Sequence, residues 1–292
     1  MLEVAQLLRR FGDKVAVDAV SFTVAPGALT GFVGGNGAGK TTTMRMIMGV
    51  LAAHGGEVRW DGHPATALDR RAFGYMPEER GLYPKQPVLD QLVYLARLRG
   101  LGAAEAKARA AGLLDRFRLG SRSKDKLESL SLGNQQRVQI AAAVIAEPTA
   151  LILDEPFSGL DPVAVDSMAE LLREYAGQGV PVLFSSHQLD LVERLCDQLV
   201  ILAGGRVVGQ GSVESLRANG AARYRLVGDG DPGWLRELAG VRVVQTNGSA
   251  AVLELTGATT DAVLTEALAR GSVREFAELR PTVAEIYREV TA

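Results

Sequence analysis

The chain has 292 residues, 47 % hydrophobic and 23 % charged, which predicts a globular protein of about two domains. Its net charge of −2 argues against general binding of nucleic acid, and its single cysteine excludes an intrachain disulfide framework. Because no stretch approaches the ~18 consecutive apolar residues of a membrane span and no signal-peptide pattern opens the chain, we expect a cytoplasmic protein.

The first part of the chain is predicted to combine strands with a helical region. Alternating and β-branched patterns indicate strands over 2–8, 15–24 and 29–33. The last strand leads through glycines into a helix over 40–50, and Asp61-Gly62 predicts a hairpin turn. Apolar spacing favours helices over 88–98 and 103–117, so the middle of this region is expected to be helical.

From residue 131 the pattern alternates between helix and strand. A helix begins there, and further helices are predicted at 163–175 and 188–196. Apolar runs predict strands at 150–153, 181–185 and 198–202. Such alternation is typical of an α/β domain with a mostly parallel sheet. A short helix within 209–219 is expected to close this domain.

The remaining residues follow a different order. Their pattern predicts strands at 223–227, 242–246, 250–255 and 273–279. Helices are predicted at 233–238, 260–269 and 282–290. The order βαββαβ with one added helix is the ferredoxin-like arrangement. We therefore expect a first domain over 1–215 and a small α+β accessory domain, for regulation or dimerisation, over 220–292.

A glycine-rich segment after the third strand predicts a phosphate-binding loop. It follows the G-x-x-x-x-G-K-[ST] pattern and consists of Gly34, Gly35, Asn36, Gly37, Ala38, Gly39, Lys40 and Thr41, with Thr42 next. Its backbone N–H groups would face an anion, Lys40 would reach the β- and γ-phosphates, and Thr41 would offer its hydroxyl to Mg²⁺. A glycine-rich turn that happens to precede a lysine is the alternative, but the strand and helix context favours a nucleoside triphosphate site.

Two carboxylates follow the strand predicted at 150–153. Because parallel strands of open α/β folds end at the edge where ligands bind, Asp154 and Glu155 are expected near the phosphate loop. Asp154 is then a candidate Mg²⁺ ligand through water, and Glu155 a candidate general base for an attacking water. An acidic turn ahead of Pro156 is the simpler interpretation of the pair alone, but the phosphate loop favours the catalytic one.

Further motifs indicate a family. Between the loop and the carboxylates lies Leu130-Ser131-Leu132-Gly133-Asn134-Gln135-Gln136-Arg137, and beyond them lie Ser158-Gly159-Leu160-Asp161 and His187. In this order the motifs resemble the nucleotide-binding subunit of ABC transporters over about residues 1–215. The resemblance implies a P-loop NTPase cassette with an antiparallel β subdomain and a helical subdomain. The residues that it assigns to nucleotide are Phe11 for adenine, Ser131, Gly133 and Asn134 of the signature motif, Asp161 of the D-loop, and His187 for the γ-phosphate.

The resemblance also implies partners. In the family two cassettes face each other head to tail. The signature motif of one copy then completes the ATP site on the phosphate loop of the other. Hydrolysis then separates the copies, which pull on a separate transmembrane permease. ATP and Mg²⁺ are therefore the expected cofactors, and a second cassette and a permease the expected partners. The permease would hold the chain at the inner face of the cell membrane.

A few positions depart from the commonest family pattern. Leu132 replaces the first signature glycine and Asn134 the usual glutamine, whereas Gly133, which allows close approach, is retained. Glu78 stands where a glutamine is common, and its carboxylate is either a ligand of Mg²⁺ or water, or a surface acid. Ser131 is also an ordinary N-cap for the following helix, and the two roles are compatible.

The leading hypothesis is an ATPase subunit that drives export. Segments 77–85 and 280–287 are similar to those of export-type cassettes encoded apart from their permease, including sodium and drug efflux systems. The alternative is a non-transport ABC-type ATPase that acts on nucleic acid or ribosomes, which the single cassette and slight acidity disfavour. A regulatory protein that binds ATP without turnover is disfavoured because Glu155 and His187 are both present.

Overall fold

The computed structural model describes residues 1–79, 81–218 and 222–291, and residues 80, 219–221 and 292, which belong to predicted segments, lie outside these ranges. The described chain divides into two compact units. One is Met1–Val213 with Val290 and Thr291, and the other is Glu214–Glu289. The predicted boundary between 215 and 220 falls next to this division.

The larger unit alternates strands and helices. In chain order its elements are β1 (Leu2–Phe11), β2 (Lys14–Val24), β3 (Leu29–Gly34), α1 (Lys40–Ile47), β4 (Gly55–Trp60), β5 (His63–Pro64), α2 (Ala67–Ala72), β6 (Phe73–Met76), α3 (Val88–Leu98), α4 (Ala103–Arg116), α5 (Leu132–Val144), β7 (Ala150–Leu153), α6 (Pro162–Gly177), β8 (Val182–Ser186), α7 (Leu189–Leu195), β9 (Gln198–Ala203) and β10 (Arg206–Ser212). Among the helices of the described ranges, none combines the length and hydropathy that crossing a bilayer requires.

A six-stranded sheet forms the centre of this unit, in the order β10-β9-β3-β8-β7-β6. The strands from β9 to β6 are parallel, and β10 is antiparallel to β9. Every residue of β3, β7 and β8 is buried, as expected for strands covered on both faces. The loops that follow β3, β7 and β8 leave the same edge of the sheet, which therefore collects the predicted phosphate loop, carboxylates and His187.

A second sheet is antiparallel, in the order β2-β1-β4-β5. Its apolar side chains share one hydrophobic cluster with α1 and the central sheet, and the rings of Phe22 and Phe32 lie 5.1 Å apart. In the helical region, Ala106, Ala110 and Leu114 of α4 repeat every four residues and are fully buried. These parts match the expected antiparallel β and helical subdomains.

The short helix expected within 209–219 is α8 (Val213–Ala218). The residues before it form strand β10, which the sequence pattern does not predict because its backbone hydrogen bonds come from the edge of β9. One predicted helix takes another form. The predicted helix at 233–238 is a 3₁₀ turn, Pro232–Arg236, where the side chain of Asp231 accepts from the Gly233 N–H at 3.0 Å. Glycine inside so short a segment disfavours an α-helix.

The second unit builds a separate sheet. Its further elements are β11 (Arg223–Gly228), β12 (Val241–Asn247), β13 (Ala250–Leu255), α9 (Thr260–Arg270), β14 (Val273–Leu279) and α10 (Val283–Thr291). All neighbours are antiparallel, in the order β12-β13-β11-β14. Leu226, Leu253 and Val263 lie in its core. The predicted ferredoxin-like arrangement is confirmed.

A buried carboxylate on β13, that of Glu254, accepts hydrogen bonds from arginines on both neighbouring strands. Glu254 is 2 % exposed, and its carboxylate accepts from Arg242 Nε at 2.8 Å and from Arg223 Nε at 3.0 Å. The hydrogen bond from Arg242 holds the pKa of Glu254 below its usual range, with help from Arg223, although burial acts in the opposite direction. A depressed pKa in the folded chain means that the ionised carboxylate stabilises the fold.

Replacing Glu254 with glutamine is expected to lower the free energy of unfolding at pH 7 by about 1–2 kcal/mol. Because the folded pKa is depressed, the stabilisation is present above the pKa of the unfolded chain and is lost as pH falls through the folded pKa. Urea titrations of the variant and the wild type, followed by tryptophan fluorescence, should therefore show a lower free energy of unfolding for the variant at pH 7 but not in acid. Glu275→Gln is the control, since that carboxylate is 3.6 Å from Arg225 and half-exposed. An equal deficit at both pH values would contradict this role of Glu254.

Candidate nucleotide-binding site

A cleft of about 1010 Å³ lies at the carboxyl edge of the central sheet. The predicted residues that line it are Phe11, Gly35, Asn36, Gly37, Ala38, Gly39, Lys40, Thr41, Thr42, Glu78, Asp154, Glu155 and His187. The predicted residues that do not line it are Gly34, Ser131, Gly133, Asn134 and Asp161. One cleft therefore brings together the phosphate loop, both carboxylates and His187, which are far apart in the sequence.

The lysine of the phosphate loop donates hydrogen bonds to carbonyls of the same loop. Lys40 Nζ donates to the carbonyls of Gly34 at 2.7 Å and Gly35 at 3.4 Å. Gly39 has a φ of +105°, and a Cβ there would lie 2.7 Å from the carbonyl oxygen of Ala16. Only glycine fits this left-handed and crowded position, which directs the chain into α1. The buried Lys40 ammonium, together with the start of a helix, makes this end of the cleft suited to an anion.

Thr41 and Glu78 meet across the cleft. The Thr41 hydroxyl donates to Glu78 Oε2 at 3.4 Å. Glu78 follows the end of β6, two positions after Met76. The acid that replaces the usual glutamine therefore lies beside the threonine that the sequence assigns to Mg²⁺.

Asp154 offers one free oxygen. The residue is 1 % exposed, and its Oδ1 accepts from Ser185 Oγ at 2.6 Å. Its Oδ2 is buried and has no hydrogen-bond partner among the described residues. A buried carboxylate oxygen without a partner is costly unless a cation or water binds it. The residues present here fit a divalent cation such as Mg²⁺, which prefers carboxylate and hydroxyl oxygens.

Glu155 is held in an uncommon backbone conformation. Its φ is +52°, in the left-handed region that a residue with a side chain rarely adopts. Its N–H donates to Ser185 Oγ at 2.8 Å, and its carbonyl accepts from Gln136 Nε2 at 3.0 Å. Its side-chain Oε2 lies 3.0 Å from His187 Nδ1. The sequence places His187 against a γ-phosphate, whereas in this structure it pairs with Glu155.

Three residues of the signature motif, Ser131, Gly133 and Asn134, do not line the cleft, whereas Leu132 between them does. Ser131 is the N-cap of α5 and accepts from the Asn134 N–H at 3.4 Å. A Cβ on Gly133 would lie 3.2 Å from the carbonyl oxygen of Gly159, so this position keeps two backbones close. Asp161 is the N-cap of α6 and accepts from the Ala164 N–H at 2.8 Å. These residues are therefore at the surface region that the resemblance assigns to a second copy.

Phe11 lies at the rim of the cleft with a cation against its ring. It is the last residue of β1 and half-exposed. The Arg9 guanidinium carbon is 4.9 Å from the ring centroid, and Arg9 Nη1 donates to the carbonyl of Ala52 at 2.8 Å. One ring face is thus occupied by a cation–π contact, and the ring also lines the cleft.

Sequence reasoning missed several residues. The cleft is also lined by Lys14, Ala16, Leu132, Gln136 and Ser158. Ser185 does not line the cleft but bonds to both carboxylate residues. Strand β8 ends on two serines, Ser185 and Ser186, after three apolar residues, and this is a signal that could have identified it, because buried hydroxyls need partners. Nothing in the run Asn134-Gln135-Gln136 distinguishes the glutamine that reaches Glu155.

Comparison with known proteins identifies the family. The chain matches the family described as ABC transporter over residues 17–158, and the ATP-binding protein DrrA1-3-like C-terminal domain over residues 211–291. Among curated proteins, the uncharacterized ABC transporter ATP-binding protein YhaQ of Bacillus subtilis is 39 % identical over 291 residues, 99 % of this chain and 98 % of the relative. The Nod factor export ATP-binding protein I of Paraburkholderia xenovorans is 36 % identical over 221 residues, 75 % of this chain and 73 % of the relative.

A solved structure carries the same fold. It is that of an ATP-binding subunit of an ABC transporter, with a TM-score of 0.70 and 36 % identity, and the match covers 75 % of this chain and 92 % of that one. With a relative 39 % identical across nearly the whole length, the family is established. The chain belongs to the ATP-binding proteins of ABC transporters.

Proposed function

We propose that this subunit hydrolyses ATP to drive export of a substrate through a separate transmembrane permease. The supporting observation is the single cleft that holds Lys40, Asp154, Glu155 and His187 together. The export direction is supported by the relative named for Nod factor export. Other relatives are named as transporter subunits, so action on nucleic acid or ribosomes is not proposed. The substrate path would lie in the permease.

The chemistry follows from the positions of the side chains. Lys40 now donates to two loop carbonyls, and a triphosphate would offer it ionised acceptors in their place. Glu155 would accept a proton from the attacking water, with its carboxylate oriented by His187 at 3.0 Å. Thr41, Glu78 and Asp154 would hold Mg²⁺, which neutralises charge on the β- and γ-phosphates when bound.

A second copy of the chain would complete the site. Ser131, Gly133 and Asn134 are outside the cleft of their own chain, at the start of α5. A helix start supplies N–H groups and positive dipole to an anion. In a head-to-tail dimer this surface would meet the γ-phosphate on the partner, so that ATP joins the two copies and hydrolysis releases them. The accessory unit, Glu214–Glu289, would regulate or support this dimer, because the residues that line the cleft all precede it.

The permease is proposed to bind beside the end of α3. A groove of about 900 Å³ is lined there by Met48, Ala67 and Leu98 and by three arginines, Arg70, Arg71 and Arg99. Leu98 is 65 % exposed, so a partner that covered it would gain apolar burial. In the family the helical subdomain lies near the membrane partner, and α3 belongs to that region. This contact would place the subunit at the inner face of the membrane.

Leu98→Asp tests the proposed coupling. The charge should prevent an apolar contact, so that the membrane protein co-purified with the wild type is lost and ATP-driven transport falls at least ~tenfold. Basal ATP hydrolysis should stay within twofold, because Leu98 does not line the cleft. Leu268→Asp is the matched control, since Leu268 is 57 % exposed on α9 of the other unit. Unchanged permease binding in Leu98→Asp would exclude this surface.

A further inference from the structure

We propose that Ser185 is a positioning residue for hydrolysis, which sets Asp154 for the cation and Glu155 for the attacking water. The inference rests on the proposed ATPase function. Ser185 is fully buried on β8, next to β7 in the central sheet. The pair Leu153 and Phe184 is the last of the β7–β8 register, so Ser185 stands directly beside the first carboxylate residue.

The Ser185 hydroxyl bonds to both carboxylate residues at once. It donates its one hydrogen to Asp154 Oδ1 at 2.6 Å and accepts from the Glu155 N–H at 2.8 Å. A serine hydroxyl has a single donor, so the donor in this arrangement is committed to Asp154. The two bonds do not compete for the hydroxyl, because Asp154 uses its hydrogen and the Glu155 N–H uses one of its lone pairs.

The first consequence concerns the cation. With Oδ1 of Asp154 bound to Ser185, the carboxylate plane cannot rotate freely, and Oδ2 remains as the buried oxygen without a partner among the described residues. A hydrogen bond to one oxygen of a ligating carboxylate orients the other and tunes its affinity for metal. Ser185 would thus leave Oδ2 as the oxygen available to Mg²⁺ or to its water.

The second consequence concerns the attacking water. Glu155 has a φ of +52°, and its N–H is held by Ser185, while its carbonyl accepts from Gln136 Nε2 at 3.0 Å and from the Ser158 N–H at 3.2 Å. Strained backbone persists where the surrounding contacts hold it. In this conformation the Glu155 carboxylate lies 3.0 Å from His187 Nδ1. Gln136 contacts only the Glu155 side of the pair, since its other bond is to the Pro156 carbonyl.

The experiment measures cation binding as well as turnover. Ser185→Ala is expected to weaken Mn²⁺ binding, followed by electron paramagnetic resonance in the presence of a non-hydrolysable ATP analogue, about 10- to 100-fold. The Mg²⁺ concentration for half-maximal ATP hydrolysis should rise in parallel. Affinity for a fluorescent ATP analogue in EDTA should stay within twofold, because the phosphate loop is untouched. Ser185→Thr keeps the hydroxyl and should restore Mn²⁺ affinity.

Two further variants separate positioning from packing. Thr30→Val removes a buried hydroxyl on the adjacent strand β3 that has no partner within the described chain, so it should change neither quantity. Gln136→Leu should lower kcat without moving the Mg²⁺ midpoint, because Gln136 does not touch Asp154.

Ser185→Ala with wild-type Mn²⁺ affinity would overturn the inference, and so would an equal shift of the Mg²⁺ midpoint in Gln136→Leu. If the wild type hydrolysed no ATP, the proposed function would fail, while the Mn²⁺ comparison would still decide the role of Ser185.

Discussion

Glu155→Gln is expected to lower ATP turnover at least ~10²-fold, the scale of losing a general base, while ATP still binds. The amide has the shape of the carboxylate but cannot accept the proton of the attacking water. The backbone bonds to Ser185 and Gln136 do not involve the side chain and should persist. Phosphate release measures turnover, and size-exclusion chromatography with ATP should show a trapped dimer that the wild type does not accumulate.

Glu147→Gln is the matched control for this prediction. Glu147 also has a left-handed backbone, with a φ of +51°, but its carboxylate is exposed and pairs with Arg109 at 3.0 Å, outside the cleft. Its turnover should remain within twofold of the wild type. Near-normal hydrolysis in Glu155→Gln would remove Glu155 from the role of general base.

Lys40→Ala is expected to lower ATP affinity at least about a hundredfold, because a charged donor to the phosphates is lost. The ammonium also bridges the carbonyls of Gly34 and Gly35, so the empty loop should lose its closed form as well. Fluorescence titration with an ATP analogue measures affinity, and circular dichroism should show that the fold is retained.

Lys14→Ala serves as the control for Lys40. Lys14 lines the same cleft but is exposed, and exposed charges contribute little. Its affinity loss should therefore stay below about fivefold. Micromolar ATP affinity in Lys40→Ala, or an equal loss in both variants, would argue against the phosphate-loop mechanism.

The phosphate loop was predictable because its chemistry is local. Gly34 to Thr41 are consecutive, and the strand and helix that flank them are read from the same stretch of sequence. Asp154 and Glu155 follow by one general rule, since strands of a parallel sheet end at one edge. The α/β architecture and the ferredoxin-like second unit were predictable for a similar reason, because apolar periodicity reports which faces are covered.

Contacts between distant segments were not predictable in this way. The bond between His187 and Glu155 joins residues 32 positions apart, and the bonds of Ser185 to Asp154 and Glu155 join positions 31 and 30 apart. The strand β10 was not predicted, because its partner β9 supplies the hydrogen bonds that a local pattern cannot show. In each case the deciding group lies on another element.

By itself, the sequence determined the phosphate loop and the carboxylates Asp154 and Glu155, because these motifs consist of neighbouring residues, and the order of its motifs indicated the family by resemblance. Only the tertiary structure decided which oxygen of Asp154 is free, how Glu155 is held at a positive φ, and that Ser131, Gly133 and Asn134 do not line the cleft of their own chain. Those features depend on the order and register of strands, which arise from burial and hydrogen bonding across the whole sheet.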